Sequence, residues 1–253
     1  MLKKFFNISI IIILILFTFS SQVLAEEAAL GHKKIEKNSI EHLSLEEFAK
    51  KYWPLLGIDD VSQQKLINKI KKGEILDAYR PEMQAKAKVE TFTRVNDKGA
   101  LEEVTKLVYP DGSVNITTKE IPKEISPTFT SNDISPLVVD PGTGTVRCGT
   151  GYCSYTHIKV SHVGMLVAAE FYADFVIVNG GYDYISKVYD HAIAMVGTYS
   201  LTSFGINKAW EDISGPAYAT LEWEGSTIGG YYTTTLRLRL YVGNDSYYSW
   251  ANY

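Results

Sequence analysis

The chain has 253 residues, 45% of them hydrophobic, and a formal net charge of −4. A mildly acidic chain argues against a nucleic-acid partner, because neutralising phosphates needs an excess of Lys and Arg. Only six Lys or Arg residues follow residue 125, whereas fourteen of the seventeen tyrosines do, so two regions built on different principles are expected.

The chain opens with Lys3-Lys4, continues with an apolar run from Ile8 to Phe19, and reaches small and polar residues ending Val23-Leu24-Ala25. That order predicts a secretory signal peptide, residues 1–25, cut after Ala25. The uninterrupted apolar run is short for a bilayer span, which disfavours a membrane anchor. No later stretch lacks charge for long enough to span a membrane, so the expected product is a secreted, extracellular protein with no transmembrane segment.

Residues 26–121 read as a small charged α+β region, possible as a pro-segment or as a spacer. Ser44-Leu45-Glu46-Glu47 has the spacing of a capping box, and Leu45, Phe48 and Tyr52 follow at helical intervals until Pro54, which is expected to end the helix. A second helix is predicted from near Asp60, with Leu66, Ile67 and Ile70 facing inward and Gly73 at its end. The period then changes to two. Residues 88–95, 103–109 and 113–121 read as a three-strand meander, with turns at Asn96-Asp97-Lys98-Gly99 and Pro110-Asp111-Gly112. Residues 122–145, with four prolines and many Ser, Thr and Gly residues, read as a linker.

Cys148 and Cys153 are the only cysteines, and in an exported protein they are expected to form a local disulfide. A zinc site recruiting His157 and His162 is the alternative. Against it, the spacing is too short for a finger, and the odd separation of the histidines puts them on opposite faces of a strand. No metal and no cofactor are expected.

Residues 146–253 read as an antiparallel β-sandwich. Strands are predicted near 155–163, 166–178, 184–196, 199–209, 216–224, 231–242 and 246–252. In the second, Ala169, Phe171, Ala173, Phe175 and Ile177 alternate with Glu170, Tyr172, Asp174, Val176 and Val178, and Asn179-Gly180 is expected to supply the positive φ angles of a tight turn. Ala217, Ala219, Leu221 and Trp223 share one inward face, and Leu236, Leu238, Leu240 and Val242 another. The fold expected for the whole chain is thus mainly β, a small α+β region preceding a β-sandwich.

The runs GGYDYISKVYD (180–190), GPAYATLEW (215–223) and TTTLRLRLYVGND (233–245), with LEEFAKKYWP and YPDGSV before them, resemble an uncharacterised domain family of secreted Gram-positive bacterial proteins. The resemblance implies secretion and a β fold, and carries no activity and no catalytic residue.

Acyl-transfer, zinc-protease and phosphate-loop motifs are absent from the sequence. Glu222 and Glu224 are the best carboxylate pair. On a strand they share a face about 7 Å apart. Asp174, Asp183 and Asp190 are separate aspartates without the dense oxygen run of a calcium loop. The outward face Tyr231, Thr233, Thr235, Arg237, Arg239, Tyr241 is the candidate ligand site, with Tyr231, Arg237, Arg239 and Tyr241 as its contacts. Tyr and Arg can stack on sugar rings or anchor a protein interface. The same alternation also fits an ordinary exposed strand or the hairpin of a pore-forming toxin. The expectation is a non-enzymatic extracellular binding module for an envelope glycan, a host glycan or a protein. The alternatives are an antagonistic or membrane-active toxin and, below it, a glycan hydrolase.

Overall fold

The computed structural model describes residues 40–96, 98–125, 143–226 and 233–252. The predicted signal peptide, Tyr231 and residues 126–142 of the predicted linker lie outside them.

Two helices stand near the start: α1, Leu45–Leu56, and α2, Asp60–Lys71. The capping box of α1 forms as its spacing predicts: the Glu47 amide donates to Ser44 Oγ, and the Glu47 carboxylate accepts from the Ser44 amide at 2.9 Å. Pro54 does not end this helix. It lies in the last turn, where its ring costs one hydrogen bond, and burial of Trp53 and Leu56 holds the turn until Gly57 closes it at φ 66°. The cap of α2 is Asp59, whose carboxylate accepts from the Ser62 amide at 2.9 Å.

Thirteen strands are found among the described residues: β1 Ile40–Leu43, β2 Lys88–Val95, β3 Leu101–Val108, β4 Val114–Ile121, β5 Lys123–Glu124, β6 Thr145–Gly149, β7 Tyr152–Val163, β8 Val167–Val178, β9 Tyr184–Val196, β10 Thr198–Lys208, β11 Ala217–Ser226, β12 Thr233–Gly243 and β13 Ser246–Asn252. They form a nine-stranded sheet, ordered β1-β9-β8-β7-β4-β3-β2 with β6 also beside β7 and β5 beside β6, and a four-stranded sheet, β10-β11-β12-β13. The change in composition near residue 121 is no break in the sheet. Ile116–Lys119 of β4 pair antiparallel with Val163–Val160 of β7.

The helices pack on one face of the large sheet and the small sheet on the other. Central strand β8 explains the arrangement, because its alternation has work on both sides. Ala169, Phe171, Ala173, Phe175 and Ile177 enter a core shared with Ala217, Ala219, Leu221, Trp223, Leu236, Leu238, Leu240 and Val242 of the small sheet. Ala168, on the opposite face, joins a second core built by Phe48, Trp53, Leu56 and Leu66 of the helices with Val104, Ile116, Val163, Ala194 and Val196. Phe171 and Phe175 are completely buried, each contributing about 2–3 kcal/mol of transfer free energy.

The turn after β8 departs from expectation in one detail. Gly180 alone takes positive φ, 69°, and the Gly181 amide closes the turn on the Val178 carbonyl at 2.8 Å.

One edge of β7 is shared in sequence by two partners, β6 along Tyr152–Thr156 and β4 along Val160–Val163. Between them β7 bulges, and His157 takes φ 60°. The carboxylate of Glu120, 2% exposed, fills the gap. It accepts from the Gly144 amide at 2.5 Å and the Lys159 amide at 3.2 Å, doing the work of missing ladder carbonyls.

Candidate functional site

The outer face of the small sheet is built in rows, because alternate residues of β11, β12 and β13 point away from the core and pairing brings them side by side. In the first row Tyr218, Tyr241 and Tyr248 stand on three neighbouring strands. The rings of Tyr241 and Tyr248 stack with centroids 4.9 Å apart, and Tyr218 tilts against Tyr241 at 5.7 Å. In the second row Gly205, Thr220, Arg239 and Trp250 are in register. In the third lie Ser203, Glu222, Arg237 and Asn252.

The second row is low at its β10 and β11 end, where Gly205 carries no side chain and Thr220 is 2% exposed, and we term that end, with Arg239 and Trp250 beside it, the trough. Gly205 and Thr220 form its floor, and a Cβ added at Gly205 would meet nothing within 4 Å. The tyrosine row is one wall and the Glu222–Arg237 ion pair the other. Trp250, 41% exposed, closes the row at β13, with Tyr248 at 49% beside it. Arg239 is held from several sides: its Nε donates to Thr220 Oγ1 at 3.2 Å, and a terminal nitrogen donates to the Tyr241 hydroxyl at 3.0 Å. Its guanidinium carbon lies 5.4 Å from the Tyr218 ring centre and 5.6 Å from that of Trp250, within cation–π range. Burial, and then the neighbouring Tyr241, raise the Tyr248 phenol above its ordinary range, so it remains a protonated donor.

Of the predicted contacts, Arg237, Arg239 and Tyr241 share this face, while Tyr231 lies outside the described residues. Tyr218, Thr220, Tyr248 and Trp250 were missed. Their outward parity was readable in strands whose inward residues alternate so regularly, but their neighbours could be known only from the register. The strand β12 lies between β11 and β13, and its Leu236, Leu238, Leu240 and Val242 are at most 2% exposed.

The other candidate chemistries are placed as follows. Glu222 gives its carboxylate to Arg237 Nε, and Glu224 sits opposite Thr235 on the same outer face. Asp174 accepts from the Tyr189 hydroxyl and from the His157 amide, both at 2.8 Å, and so braces the bulge in β7. Burial first, then that hydrogen bond and the Asp174 charge, push the Tyr189 phenol up. Asp183 is fully buried and accepts the Val178 and Asp245 amides at 2.7 and 3.1 Å. His157 stacks on Tyr172 at 4.3 Å, whereas His162 is buried beside Thr117 and Ser161 is bonded to Thr118. Cys148 and Cys153 are disulfide-bonded across β6 and β7. Among the described residues no group of three or more His, Cys, Asp or Glu could hold a metal ion. No described helix is long and apolar enough to cross a membrane.

Set against known proteins, the chain matches no family model, no curated protein and no solved structure. Function therefore rests on the chemistry of the surfaces themselves.

Proposed function

We propose that this is an extracellular glycan-binding protein that works through the outer face of its four-stranded sheet. The observation that carries the reading is the row of Tyr218, Tyr241 and Tyr248 standing beside the trough of Gly205, Thr220, Arg239 and Trp250. A sugar ring offers an apolar face of C–H groups and an edge of hydroxyls. The rings of Tyr248 and Trp250 suit the first, and Arg239 and the tyrosine hydroxyls suit the second. A floor without a side chain at Gly205 lets a chain of sugars lie close to the backbone. Export is supported by the predicted leader and by the disulfide, which oxidising compartments favour.

The test is retention on immobilised polysaccharides and titration calorimetry with the oligosaccharide retained. Trp250→Ala and Tyr248→Ala should each weaken binding about tenfold, the size expected for loss of one stacked ring. Both rings are substantially exposed, so thermal unfolding should scarcely move. Undiminished binding in both variants, or no retention of the wild type, would overturn the reading.

A further inference from the structure

We infer that the glycan carries an acidic group and that Arg239 receives it; this rests on the sheet face being the glycan site. Two arginines stand on the outer face of β12 and they are not equivalent. Arg237 is neutralised by Glu222 in the adjoining strand. Arg239, one row away, has no carboxylate of the described residues within ion-pair distance; its partners are the uncharged Thr220 and Tyr241.

A guanidinium has five N–H donors. Those two bonds use two of them and fix the plane of the group, with the Tyr218 and Trp250 rings on its flanks. The remaining donors are pre-oriented, so little side-chain entropy is lost when they take up a bidentate acceptor. Carboxylate and phosphate oxygens match that fork geometry, and a charge-assisted pair is roughly twice as strong as a neutral one. Among the described residues of these rows the uncommitted acid is Glu224, two rows from Arg239, about 14 Å by strand rise, and so largely screened at ordinary ionic strength. A sugar stacked on Trp250 or Tyr248 therefore brings an attached anionic group within reach of the one uncompensated guanidinium of the trough.

The full chain would be titrated with matched acidic and neutral ligands: oligogalacturonate and its methyl ester, sialyllactose and lactose, glucose 6-phosphate and glucose. The wild type should bind the acidic member of at least one pair tenfold or more tighter than the neutral one. Salt should weaken that preference. Arg239→Gln should weaken the acidic member at least tenfold more than the neutral one and so abolish the preference, and Arg239→Lys should restore part of it. Preference within a carboxylate pair or within the phosphate pair identifies which anion is taken. Equal binding within every pair that binds, or a preference that survives Arg239→Gln, overturns the inference and leaves glycan binding standing. Binding of no pair together with no retention on any immobilised polysaccharide, or binding that Trp250→Ala and Tyr248→Ala leave undiminished, overturns both.

Discussion

The indole nitrogen of Trp53 donates to the main-chain carbonyl of Met165 at 2.9 Å, and both residues are completely buried. The bond joins helix α1 to the turn between β7 and β8, so the charged first region and the tyrosine-rich second one share a core. Trp53→Ala would open a large cavity and orphan that carbonyl, and should cost about 3–5 kcal/mol. A fragment beginning at residue 143 loses α1, α2 and β1–β5 and exposes Val163, Met165, Ala168, Ala194 and Val196. It should show no cooperative unfolding transition by circular dichroism. A sharp melt from that fragment would mean that the second region folds without the first.

The disulfide closes a loop of sequence separation five between directly paired residues of β6 and β7. So short a loop removes little entropy from the unfolded chain, and Cys148→Ser with Cys153→Ser should cost about 2 kcal/mol. The expected change is a lower urea midpoint at unchanged slope. A loss large enough to unfold the protein would show that β6 depends on the crosslink for its pairing as well.

Much of this fold was legible because alternation reports which face a strand buries. The inward sets of β8, β11 and β12 are those the period of two picks out, the capping box at Ser44 follows from spacing, and the disulfide follows from there being only two cysteines in a chain read as exported. Alternation does not say which strand lies beside which. The pairing of β4 with β7, which merges two regions of different composition, depends on contacts more than forty residues apart in the chain. The role of Glu120 was hidden for the same reason, since a carboxylate replaces ladder carbonyls only once the gap between β4 and β6 exists. At the candidate site, Arg237, Arg239 and Tyr241 were visible along one strand. Trp250 and Tyr218 became their neighbours only through the register of three strands.

His162 should make stability fall in mild acid. Burial holds its imidazole down at about 3, so it stays neutral in the fold, whereas in the unfolded chain it titrates near 6.5. Its contribution is fully present above about pH 6.5 and is lost as pH falls toward 3, because the unfolded state takes up a proton the native state refuses. The loss is about 1.4 kcal/mol per pH unit. Glu120 acts with the opposite sign. Burial raises its carboxyl, so its contribution is full below its unfolded value and fades as pH rises through the folded one. Urea denaturation at about pH 7, 6 and 5 should show wild-type stability falling, with a shallower fall in His162→Gln. Parallel falls in the two proteins would assign the acid sensitivity to other groups.

Glu222 and Arg237 form a cross-strand ion pair whose side chains remain 21% and 34% exposed. Water screens such a pair, so a double-mutant cycle with Glu222→Gln and Arg237→Gln should give a coupling below about 1 kcal/mol. The pair matters more as a wall of the trough and as the reason Arg237 has no spare charge. Removing Glu222 alone leaves Arg237 uncompensated one row from Arg239, which creates a second anion-binding group without disturbing the first. Glu222→Gln should therefore tighten binding of an acidic oligosaccharide by severalfold, with no effect on its neutral partner. The same variant tests the carboxylate as a catalyst, because any glycan-cleaving activity that depended on Glu222 would vanish as binding improved. Tightened binding of both acidic and neutral members would instead trace the gain to the shape of the trough.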